Sequence, residues 1–281
     1  MPTSRTADRS SATIGSTPVV QLVRAAGGAD VRVKLETRSP TGCFADRVAR
    51  ELVRKVADGA AVRHGGDGVL EVALAGALRE RGGRLHAFIP ESSSIEVRQS
   101  LAALGATVEL TPHAEGAEGA RARVGEGFRA VDVALAVGQA TLQWAIEFKA
   151  TVVADGGRCD ALALSGPFDW KHLMESLRGD GVNPQLLVPA VADGRTTHRL
   201  AGLSLASRTP LGAVVVDDAF GWNWSQRLAR EEGLLLSPAA ASTVGVAIEH
   251  AQKHPGARVY AIASDTGERF FSLRDTFTWK S

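Results

Sequence analysis

Cys43, His64, Asp67 and Glu71 are the residues whose types and spacing suit chemistry in this sequence. Cys43 closes a Pro/Gly-rich turn, Ser39-Pro40-Thr41-Gly42, just before a helix that begins near Asp46. A thiol beside a helix N-terminus can have a lowered pKa and act as a nucleophile, with His64 or Asp67 as its base. The same cysteine also suits the lesser role of apolar filler in a tight turn. Further on, Asp169, Lys171 and His172 open another helix. Lys171 and His172 carry charge that can meet an anion, whereas N-capping is sufficient reason for Asp169. Cys43 and Cys159 have neither metal-ligand spacing nor the density of a disulfide scaffold, so they read as free thiols, and no metal is expected.

The elements that must position these residues alternate. Residues 31–36 form a strand-like run before the turn, and residues 47–57 carry Val48, Leu52 and Val56 at helical spacing until Asp58-Gly59 stops them. Residues 84–90 read as a buried strand, 91–104 as a capped helix ending at Gly105, and 106–110 as another strand. A strand, a helix and a strand in succession imply a parallel crossover, and open α/β sheets bind ligands beyond the C-terminal ends of their strands. Strands at 159–164, 185–188, 212–216 and 258–263 continue the pattern, with Trp222-Asn223-Trp224 placed before an amphipathic helix. Residues 1–12 are polar and read as a fraying end.

Several phrases together resemble the cysteine synthase and cystathionine β-synthase-like family, the tryptophan-synthase-β-like group of pyridoxal-phosphate (PLP) enzymes. Ile14-Gly15-Ser16-Thr17-Pro18-Val19-Val20-Gln21-Leu22 is similar to that family's opening turn and strand. Ser39 to Arg47 resembles its lysine-bearing loop, in which the lysine holds the cofactor as a Schiff base; Ala45 stands in the lysine's place. His64-Gly65-Gly66-Asp67-Gly68 aligns with Ser-Gly-Asn-Thr-Gly, the turn that holds the substrate carboxylate, so the glycines remain while the polar contacts change. Ser165-Gly166-Pro167-Phe168-Asp169 takes the place of the Gly-Thr-Gly-Gly-Thr phosphate cup, and Ser264-Asp265-Thr266-Gly267-Glu268-Arg269 resembles the late Pro-Asp-Ser-Gly-Glu-Arg segment. Around residues 131–149 the resemblance thins, as if an Asn-rich loop were missing; Gln139 reads either as its remnant or as a solvated loop glutamine.

The resemblance implies a two-lobed, three-layer α/β/α fold with mainly parallel sheets, PLP fold type II. It puts a larger domain at residues 1–37 plus 146–281, a smaller one at 38–145, and a ligand cleft between them. It implies a homodimer and a small amino-acid-like ligand. If PLP binds, Gly65, Gly66, Ser165, Gly166 and Thr266 are the residues that would touch it. The favoured expectation is that PLP chemistry is lost, leaving a pseudoenzyme or a cofactor-independent enzyme using Cys43, His64 and Asp67. The alternative is a PLP-dependent β-replacement or β-elimination enzyme acting on an activated serine, with the lysine at position 45 substituted. At 281 residues and 44% hydrophobic, the chain can bury a large core. A net charge of +1 with interspersed signs gives no footprint for nucleic acid or anionic membrane, and no apolar run reaches spanning length. The cytoplasm is the expected location.

Overall fold

Runs of apolar residues too short for helices become the inner strands. The computed structural model describes residues 9–177, 182–192, 204–205 and 213–273. Its strands are β1 (Val19–Gln21), β2 (Asp30–Leu35), β3 (Ala61–Gly65), β4 (Arg84–Pro90), β5 (Thr107–Thr111), β6 (Ala161–Ala163), β7 (Gln185–Val191), β8 (Ser204–Leu205), β9 (Ala213–Val216) and β10 (Arg258–Ala263). The helices are α1 (Ala45–Val53), α2 (Val69–Arg79), α3 (Ile95–Ala103), α4 (Gly116–Ala122), α5 (Ala130–Ala154), α6 (Trp170–Leu177), α7 (Asp218–Glu232) and α8 (Pro238–Lys253).

Two sheets result. One runs β1-β2-β10-β6-β7-β8 with β9 also on β7, and all its pairings are parallel except β1 with β2. The other is the parallel set β3-β4-β5, joined by α2 and α3 as crossovers. In β10, Val259 to Ala263 are all buried, as a strand covered on both faces requires. One apolar core packs α1, α2 and α5 around Trp144 and Phe148; a second lies under α7 and α8.

Three expectations shift. Trp222 and Trp224 lie inside α7, because Asp217 accepts from Phe220 N–H at 2.8 Å and so starts the helix earlier. Residues 130–154 form one continuous helix, and Gln139 is an exposed residue on it rather than a loop residue. Of the polar N-terminal end, Ser10–Thr13 forms a 3-10 turn, tied down where Ser10 and Ser11 donate to Glu80. Residues 1–8, and Gly212 of the expected strand, lie outside the described residues. Among the described residues no helix is long and apolar enough to cross a membrane.

Candidate functional site

The loop before α1 is docked on the end of the central strand. Phe44 N–H donates to Ser264 carbonyl at 2.8 Å, Thr266 N–H donates to Gly42 carbonyl at 3.1 Å, and Cys43 bridges Asp265. Gly42 has φ +80° and lies so close to Thr266 that a side chain there would crowd its methyl. Asp46 turns back to accept from Thr41, N–H at 2.9 Å and hydroxyl at 2.8 Å. The result is a rigid loop with Ala45 buried at the first turn of α1, 6% exposed.

Arg47 anchors that helix through a buried ionic network. Its Nε donates to Glu36 Oε2 at 2.8 Å, and its Nη2 to Glu36 Oε1 at 3.0 Å and Glu147 Oε2 at 2.9 Å. Lys34 of β2 donates to Glu147 Oε1 at 2.6 Å and to the Thr17 carbonyl at 2.9 Å. Burial alone would raise the Glu147 pKa, but Lys34 and Arg47 hold it down at about 2. Two cations and two carboxylates thus tie α1, α5 and β2 together behind the loop.

Cys43 is 1% exposed, and its thiol pKa is pushed up to about 12 by burial, with Asp46 and Asp265 adding to the rise. Its thiol lies 3.5 Å from the Thr41 hydroxyl, with the Arg269 charge acting on it electrostatically, while His64 pairs with Glu71 instead. The lowered pKa expected at a helix start is therefore reversed: desolvation outweighs the helix end. Asp265 is pushed up to about 7 by burial, partly offset by Arg269, whose Nε lies 3.2 Å from it.

His64 and Asp67 come together around Glu71 in the turn between β3 and α2. Glu71 is fully buried, its Oε1 2.7 Å from His64 Nδ1 and its Oε2 accepting from Gly68 N–H at 2.8 Å. Asp67 is exposed at the lip of this turn, where its carboxylate accepts from Val69 N–H at 3.0 Å. The helix that follows this turn packs on the loop that carries Ala45: a Cβ on Gly76 of α2 would stand 3.4 Å from the Thr41 methyl. Gly65 and Gly66 are both places where a side chain would collide, the first with the Ala120 carbonyl and the second with Glu71.

The third segment closes the group from β6. Ser165 is buried and accepts from the Thr243 hydroxyl at 2.7 Å, and Gly166 has φ +125°. Phe168 N–H folds back to the Gly166 carbonyl at 2.9 Å, and Asp169 N–H donates to Thr141 Oγ1 at 3.0 Å. Asp169 caps α6 through His172, accepting its N–H at 3.1 Å and lying 2.9 Å from its Nδ1. The Phe168 ring packs 4.5 Å from Phe44 and 5.2 Å from Trp144, so aromatic bulk reaches the residue next to Ala45. Thr266, half-buried, has its hydroxyl 3.5 Å from Glu268.

His64 to Asp67, Ser165-Gly166 and Thr266 thus lie at or just past the C-terminal ends of β3, β6 and β10, and Cys43 joins Thr266 through its bridge to Asp265. Sequence reasoning missed Glu147, Thr141 and Thr243, each on a helix far along the chain, where no local pattern marks a partner. Arg269 could have been found, since it belongs to the quoted Gly267-Glu268-Arg269 phrase. Among the described residues no three His, Cys, Asp or Glu side chains converge as a metal site would need.

Comparison with known proteins matches residues 10–156 to the family model described as pyridoxal-phosphate dependent enzyme. O-ureido-L-serine synthase of Streptomyces lavendulae is 29% identical over 294 residues, covering 92% of this chain and 90% of that protein. Cysteine synthase B of Salmonella typhimurium is 26% identical over 306 residues, covering 92% and 93%. The crystal structure of O-ureido-L-serine synthase superposes with TM-score 0.83 at 26% identity, covering 99% of this chain and 98% of that one. A lysine-to-alanine variant of that enzyme, bound to O-ureido-L-serine, superposes with TM-score 0.82 at 25% identity, covering 99% and 96%.

Proposed function

The chain belongs to the pyridoxal-phosphate dependent enzyme family, with the cysteine-synthase-like fold type II, and from that premise we propose that it has left PLP chemistry behind. In this reading it keeps a cleft, between a smaller lobe at 38–145 and the rest, for a small amino-acid-like ligand. The residues present do not fit the cofactor. Ala45 offers no amine, and the buried Lys34 is committed to Glu147 and the Thr17 carbonyl. A phosphate group needs convergent backbone N–H donors at a helix start. Here Pro167 has none, and the N–H groups of Phe168 and Asp169 are already given to Gly166 and Thr141.

That commitment of the two amides is the observation that carries the reading, because a substitution at position 45 alone would not cause it. The variant of O-ureido-L-serine synthase supports the retained cleft: a relative lacking a lysine still holds an O-substituted serine. With Cys43 held as a thiol at about 12, the reading favours binding over cysteine-based catalysis.

The test is direct. Purified protein and an Ala45→Lys variant are mixed with micromolar PLP, and the visible spectrum is recorded. No absorbance band in either is the expected outcome. A band in the Ala45→Lys protein would establish the other reading instead, a PLP-dependent β-replacement or β-elimination enzyme of an activated serine whose lysine has been substituted.

A further inference from the structure

A carboxylate aimed at the first amides of a helix is ordinary at the third helical position, where Glu caps the start. Glu71 makes that bond to Gly68, whose φ of +107° only glycine adopts readily. Three features go beyond capping. The carboxylate is 0% exposed, although it belongs to the first turn of an 11-residue helix. Its other oxygen is taken by the His64 ring at 2.7 Å. Finally, a Cβ on Gly66 would stand 2.5 Å from Oε1 and 3.1 Å from Oε2, so the carboxylate occupies the space directly over the turn.

The turn therefore receives an anion, and the anion is the chain's own. Gly66 and Glu71 are mutually dependent: any side chain at 66 would need the space Glu71 fills. Asp67 at the lip adds a further negative charge, with Arg121 offsetting it in part. A second carboxylate brought to the same donors would meet the Glu71 carboxylate, and would find Gly66 N–H already given to the Phe88 carbonyl, Gly68 N–H to Glu71 and Val69 N–H to Asp67.

Resting on the cleft reading above, we propose that Glu71 is a built-in occupant of this turn and sets what the cleft accepts. A ligand carboxylate is refused at residues 64–68, so an amino-acid-like ligand presents a neutral or cationic end there. Glu71 is in this sense a specificity-determining residue.

The experiment is an NMR titration of the full chain with sodium acetate at constant ionic strength, following the Gly66 and Gly68 amides and the His64 ring. The wild type and Glu71→Gln, which keeps the turn filled, should show no saturable change. Glu71→Ala should show saturable shifts at these groups, with acetate bound at least about tenfold tighter than by wild type. Saturable shifts in the wild type or in Glu71→Gln would overturn the proposal, as would silence in a folded Glu71→Ala protein. Should alanine prevent folding, Glu71→Ser takes its place, and the wild-type arm remains decisive on its own. The PLP titration of Ala45→Lys is read by absorbance, so failure of the cofactor reading and failure of this one are told apart.

Discussion

Replacing Glu147 by Gln tests the network behind the loop. Glutamine has the shape of the protonated acid, so the variant at neutral pH reproduces what acid does to the wild type. The displacement of Glu147 from its ordinary 4.5 to about 2 corresponds to about 3 kcal/mol favouring the charged form in the folded protein. Its side chain is 19% exposed, so solvent screens little of this, and the cations it pairs with, Lys34 and Arg47, are almost wholly buried. Because the folded pKa lies below the unfolded one, this stabilisation is complete above about pH 4.5 and disappears as pH falls towards 2. In urea at pH 7, Glu147→Gln should lose about 3 kcal/mol, a fall in midpoint of about 1 M. At pH 3 the gap between variant and wild type should shrink to roughly half or less. Equal midpoints at pH 7, or a gap as wide at pH 3 as at pH 7, would refute the reasoning.

Phe168→Ala removes a ring packed between Phe44 and Trp144 and should cost about 3–5 kcal/mol in urea unfolding, with a change in tryptophan fluorescence reporting the opened contact. Gly66→Ala should destabilise by about 1–3 kcal/mol through its clash with Glu71, and combining it with Glu71→Ala should give clear non-additivity in a double-mutant cycle. Cys43 and Cys159, both buried with pKa values pushed up to about 12, should ignore an aromatic disulfide reagent at pH 8 and react only after unfolding. Rapid native reaction of Cys43 would reinstate it as a nucleophile.

The alternation of strands and helices was legible because each segment satisfies its own periodicity: β4, α3 and β5 follow directly from apolar spacing and the Ser94 cap, which accepts from Val97 N–H at 3.2 Å. Charge pairing across long separations was not. Glu147 meets Arg47 across 100 residues, and nothing in α5 distinguishes it from a solvated helix glutamate. Cys43 misled for a related reason. Its helix-start context was visible, but the neighbouring carboxylates Asp46 and Asp265, and the depth of burial, come only from the folded arrangement. The α7 start was missed because the Asp217 cap, which accepts from Phe220 N–H, begins the helix before Trp222-Asn223-Trp224 rather than after it.

Arg47 stands two residues from Ala45, yet the two positions answer to different demands. The guanidinium is committed to Glu36 and Glu147, so its replacement would jeopardise folding itself. The methyl group at 45 has no such obligation. A pattern match that leans on the Asp46-Arg47 pair therefore registers the scaffold that the ionic network needs, whichever residue stands at 45.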